Sequence, residues 1–200
     1  MIRRRSREGE RGQGLVEFSL LVPVFTLLLL AMLEFGFVFD HLLTIQYSTR
    51  EGARVGAALA SGGSSLDCND VDQYVIAAVT RVLQSRGSRV SIAEVPTIRI
   101  YKAGVNGTQD TSYPNAYNVW SYAPGAGPLV DGRRLDYRLT STGWSACGRN
   151  NGANPDSIGV SLAYTYRLQT AIGSVLGFFG GSMSNITISD KTVMSLNPTD

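Results

Sequence analysis

The chain has 200 residues, a net charge of +2 and a mean hydropathy of +0.01, a composition that is globular overall and excludes a fibrous or wholly disordered protein. Both averages conceal an uneven distribution, because residues 1–12 hold five arginines against Glu8 and Glu10 and an apolar block follows them. Beyond Gly12 the chain is close to neutral, so it carries no nucleic-acid footprint.

Residues 18–33 carry no charge, and if Glu34 is tolerated near one end the apolar run extends to Phe39. A helix over residues 18–39 is about 33 Å long, against a hydrocarbon core of roughly 30 Å. Such a run is too apolar on every face for a soluble domain of this size. It is also longer than a secretory-signal core and has no small-x-small site before Asp40. The reading is a retained transmembrane helix with Pro23 near its start, where membrane helices tolerate the lost donor. Arg3, Arg4, Arg5, Arg7 and Arg11 crowd one flank, whereas Arg50 and Arg54 are the only basic residues near the other. This bias predicts a cytoplasmic N-terminus and an extracytoplasmic C-terminal domain.

Just before the apolar run stands Gly12-Gln13-Gly14-Leu15-Val16-Glu17-Phe18, a basic leader ending in glycine with a carboxylate five residues on. This resembles a type IV prepilin cleavage site, which implies cutting between Gly12 and Gln13 by a membrane aspartyl protease. A carboxylate beside hydrocarbon is expensive unless paired or held at the interface. The resemblance implies a partner for Glu17, the new N-terminal amine of a neighbouring subunit, with Phe18 next to it in the assembly. The match continues through Val22-Pro23, the leucine-rich run, Glu34-Phe35-Gly36 and Thr49-Arg50-Glu51-Gly52-Ala53-Arg54. In this order and spacing the motifs resemble the TadE-like pseudopilins of tight-adherence (Flp-type) pilus systems. Tyr164-Thr165-Tyr166-Arg167 is similar as well. The resemblance implies a bacterial cell-membrane protein whose partners are a prepilin peptidase, other pilin-like or pilus-assembly membrane proteins, and membrane lipid. An uncleaved single-pass binding or adhesion module is the alternative.

Helical periodicity persists over residues 40–62, predicting that the spanning helix continues as a stalk until Gly62-Gly63 stops it. Gly52, Gly56 and Ala60 fall four apart and form a small-residue face. That face suits either a partner helix in the assembly or the protein's own outer domain. His41 reads as an ordinary interfacial residue; a lone histidine makes no metal site.

In the outer domain, residues 63–200, Val71, Tyr74, Val75, Ala78, Val79, Val82 and Leu83 make one apolar helical stripe. Asn69 or Asp70 is placed to cap it and Gly87 to end it. Strand patterns follow at Val90 and Ile92, at Ile98 and Ile100, along Ile158, Val160, Leu162, Tyr164, Tyr166 and Leu168, and over residues 185–196. The expected fold is α+β, a helix on an antiparallel sheet behind the long N-terminal helix. Residues 103–153, rich in Gly, Asn, Ser, Pro and Tyr, read as an irregular loop. Its Tyr113, Tyr117, Trp120, Tyr122 and Trp144 are expected either to pin the loop or to form a recognition surface. Cys68 and Cys147, both on the outer side, are expected to bond. Ile172, Val175, Leu176, Phe178 and Phe179 fit a core-closing turn, or else a contact with the membrane surface or a partner. The chain has no histidine cluster, phosphate loop or nucleophile elbow, so no enzyme, cofactor, metal or small-molecule substrate is expected.

Overall fold

The computed structural model describes residues 8–63, 66–171, 173–174, 177 and 185–197, with side chains from residue 12 onward. It is a mixed α+β protein: a long apolar N-terminal helix followed by a small domain with one further helix and an antiparallel sheet. Two compact units are distinguished, Met1–Val38 with Arg167–Asn185, and Phe39–Tyr166 with Ile186–Asp200.

Helix α1 spans Glu8–Leu59 and passes through Pro23 without ending. It ends at Leu59, ahead of Gly62-Gly63, because Ala60 takes a left-handed conformation (φ +49°) while its N–H still reaches the Gly56 carbonyl at 2.9 Å. Gly62, at φ +88°, completes the reversal. Helix α2 spans Val71–Leu83 and buries Val71, Val75, Ala78, Val79 and Leu83 of the predicted stripe together with Ile76, while Tyr74 and Val82 of that stripe are half-buried. A short 3-10 turn, Cys68–Asp70, precedes it, and the Asp67 carboxylate accepts the Asn69 N–H there. Asp70 holds the N-cap position of α2 without a side-chain capping bond, and Gly87 (φ +94°) turns the chain beyond Gln84.

The main sheet has the order β5-β2-β1-β6-β7, from strands β1 (Thr97–Lys102), β2 (Tyr117–Tyr122), β5 (Tyr137–Thr142), β6 (Ser157–Arg167) and β7 (Asn185–Ser195). β1 is antiparallel to both β2 and β6, with Ile98 opposite Trp120 and Leu162, and Ile100 opposite Asn118 and Val160. These residues make one buried row, continued along β6 by Ile158, Tyr164 and Tyr166. On the other face the Tyr101 ring lies across Gly159, where any Cβ would come within 2.3 Å of the ring.

Residues 103–153 are not the irregular loop expected from composition. They contain β2 and β5, plus a small hairpin of β3 (Leu129–Val130) and β4 (Arg133–Arg134). Alternation failed as a signal because the inward position 118 of β2 is asparagine, the β2–β5 register shifts between Val119 and Trp120 with Thr140 of β5 as the extra residue, and β5 is exposed beyond Tyr137. Nor do Val90 and Ile92 form a strand: Ile92 opens a 3-10 turn, Ile92–Glu94, and Val90 is buried just before it. Ile172, Val175, Leu176, Phe178 and Phe179 lie outside the described residues.

Candidate processing site and assembly helix

The expected cleavage residues sit in helical backbone near the start of α1. A Cβ built on Gly12 or Gly14 meets no heavy atom within 4 Å, so the side-chain direction at both glycines is open. Gln13 donates its side-chain amide to Glu17 Oε1 at 3.0 Å, which puts positions 13 and 17 on one helix face. An amine created at Gln13 would therefore start on the same face as the Glu17 carboxylate. Around them Leu15, Phe18, Leu20, Leu21, Phe25 and Leu28 are all exposed. The helix between Gly12 and Leu59 is long and apolar enough to cross a membrane, and its most apolar stretch is covered by none of the described residues. Apolar surface on every side of a helix calls for lipid or other helices around it.

Farther along, Glu34 departs from this pattern. It is 5 % exposed, whereas Leu33 and Phe35 beside it are 56 % and 65 % exposed. Its two carboxylate oxygens accept the backbone N–H groups of Gln169 and Thr170 at 3.0 and 2.8 Å. The sequence marks Glu34 as a tolerated charge in an apolar run and as part of the Glu34-Phe35-Gly36 motif, without indicating this contact.

The Thr49–Arg54 motif divides between two faces. Thr49, Gly52 and Ala53 point into the outer domain, while Arg50 and Arg54 face solvent. Gly52 lies against Val79 of α2 and Val160 of β6, and Gly56 against Ile158 and Val75. The small-residue face is thus filled from within the same chain. Thr49 donates its hydroxyl to the Asp190 carboxylate and also meets the Thr192 hydroxyl at 3.0 Å, joining α1 to β7. On the outside Arg54 makes a two-point contact with Glu51 at 2.8 and 2.6 Å, which holds the Glu51 carboxyl below its ordinary range. His41 is not interfacial: it is fully buried and stacks on Tyr164, with the Tyr166 ring edge-on at 5.0 Å.

Cys68 and Cys147 form a disulfide with Cα atoms 4.9 Å apart. Next to it is a buried polar cluster that the sequence does not announce. Asn118 donates to Asp72 Oδ2 (2.6 Å) and to the Trp144 carbonyl (2.8 Å), while its own oxygen accepts the N–H groups of Gly143 and Trp144, both at 3.0 Å. Every hydrogen-bonding position of the amide is used. Arg149 pairs with Asp72 at 2.6 Å and stacks on Trp144. The aromatic residues proposed as a surface are mostly structural: Trp120 and Trp144 are buried, Tyr122 packs on Tyr137, and Tyr117 lies under Arg99. Only Tyr113 of that group is well exposed, beneath Lys102.

Residues 12–54 match the family model described as TadE-like protein, the span that contains the cleavage motif, Glu34 and the Thr49–Arg54 motif. No curated protein and no solved structure gave a match.

Proposed function

Starting from a chain whose residues 12–54 are TadE-like, we propose that this is a minor, pseudopilin-like component of a tight-adherence pilus assembly or secretion system, processed by a prepilin peptidase. A TadE-like segment implies a component associated with such a pilus, and components of this kind are structural rather than enzymatic. The observation that carries the finer reading is the open side-chain direction at Gly12, with Gln13 and Glu17 on one face of an uncovered apolar helix. In this account a peptidase cuts between Gly12 and Gln13 and residues 18–39 cross the bacterial cell membrane. The arginine leader stays in the cytoplasm and the disulfide-bonded domain lies outside. Glu17 then pairs with a mature N-terminal amine of a neighbouring subunit, and Phe18 supplies apolar contact beside it. Pairing of that kind offsets the cost of a carboxylate at the edge of hydrocarbon and selects register. Gly52 and Gly56 contribute by closing the domain on α1.

The test is Glu17→Ala in the native host. The account expects the variant to be cut and retained in the membrane, yet no longer to co-isolate or cross-link with the other pilin-like proteins. Co-isolation at the parent level would overturn the role given to Glu17. An arginine leader still present on the mature protein would favour the uncleaved binding module instead.

A further inference from the structure

Glu34 lies sixteen residues beyond Phe18 on one helix, about 24 Å along its axis, near the far edge of a hydrocarbon core roughly 30 Å thick. At that depth an ionised carboxylate is costly, and so is any backbone N–H without an acceptor. The structure meets both demands at once, since Glu34 takes the N–H groups of Gln169 and Thr170 at 3.0 and 2.8 Å and is itself 5 % exposed. The chain leaving β6 is thereby fixed to the apolar helix, and Arg167–Asn185 belongs to the same compact unit as Met1–Val38. Sequence agrees with that placement: Arg167 is the last charged residue before Asp190, and Leu168–Ser189 has none. Such a stretch is poorly suited to open water and well suited to the boundary between headgroups and acyl chains.

We propose that Glu34 is a tether that seats the chain just after β6, at Gln169–Ala171, in the outer interface of the membrane that α1 crosses, so that lipid is a second contact of this protein. The proposal rests on the membrane-spanning reading above. Apolar side chains around α1 face acyl chains, and the tethered segment continues that contact at the rim.

The experiment uses the full-length chain in vesicles of phosphatidylcholine and phosphatidylglycerol. Ser174 is exposed, and Ser174→Cys introduces the one reactive thiol because Cys68 and Cys147 are bonded to each other. With a bimane label there, a doxyl-bearing lipid should remove most of the emission and aqueous iodide little. Adding Glu34→Ala should reverse that order while the protein still floats with the vesicles, and Glu34→Gln, which keeps one acceptor oxygen, should fall between. Strong iodide quenching in the parent, or an unchanged pattern in Glu34→Ala, would overturn the tether. A parent protein that fails to float would instead overturn the spanning reading, and the tether with it.

Discussion

At residue 52 the chain has no room for a side chain: a Cβ there would stand 2.5 Å from Val79 Cγ2, and valine has little rotamer freedom with which to yield. Gly52→Ala should therefore overpack the junction of α1, α2 and β6 and destabilise the outer domain by about 1–3 kcal/mol, read as a lower unfolding midpoint in detergent. The Asp72–Arg149 pair sets a larger penalty, because the Arg149 side chain is fully buried and that of Asp72 is 9 % exposed. Asp72→Ala leaves a buried guanidinium uncompensated and also strands the Asn118 amide, a loss of about 3–5 kcal/mol in the same measurement. A change below about 1 kcal/mol, the scale of exposed ion pairs, would contradict the burial of this cluster. Alkaline pH probes another buried group. Tyr137 donates to the Val95 carbonyl at 2.9 Å, and burial pushes its hydroxyl well above the ordinary tyrosine range. The unfolded chain releases that proton near pH 10 while the folded chain holds it, so the contribution of Tyr137 to stability should be constant below about pH 10 and fall above it. Burial shifts Tyr101 in the same direction, so the part of the slope that Tyr137→Phe removes is the measure of Tyr137 alone.

Among the elements, those with regular periodicity were legible from sequence and those organised by polar groups were not. α2 and β6 follow most of their apolar stripes, apart from the half-buried Tyr74 and Val82 on α2, the unforeseen Ile76, and Leu168, which lies beyond the end of β6. The C-terminal third of α1 buries His41, Ile45, Ser48, Thr49, Gly52, Ala53, Gly56 and Ala57, a face so small and polar that hydropathy reads it as a solvated stalk. The glycine spacing was the usable clue, and it did not say whose backbone or side chains would fill the face. β2 escaped for a related reason: its inward Asn118 is satisfied by α2 and by the Gly143-Trp144 turn, contacts that local pattern cannot show. The Glu34 contact joins residues 135 positions apart and was equally invisible. By contrast, the Cys68–Cys147 bond followed from cysteine number and expected side of the membrane. It closes a separation of 79 residues and ties the start of α2 to the turn beyond β5. Cys68→Ser should cost about 4 kcal/mol on the chain-entropy account. Reductant should lower the parent's unfolding midpoint to that of the variant and leave the variant unmoved; an unchanged parent under full reduction would contradict it.

For the whole molecule, the TadE-like match covers residues 12–54, and the proposed association with a tight-adherence pilus rests on it. Architecture beyond it comes from packing: the same helix that exposes apolar residues on every side near its start becomes a core element of the outer domain near its end. One chain can thus present a bare helix to a membrane or an assembly. The part of this account on which the rest depends is that the arginine leader is removed and Gln13 becomes the first residue. The measurement that tests it most directly is the intact mass and N-terminal sequence of the protein purified from its native membranes, beside a Gly12→Leu variant. A parent chain beginning at Gln13 with the variant left full length is the predicted result. A parent that still carries Arg3 to Arg11 in the membrane would contradict processing and leave an uncleaved, single-pass binding module in its place.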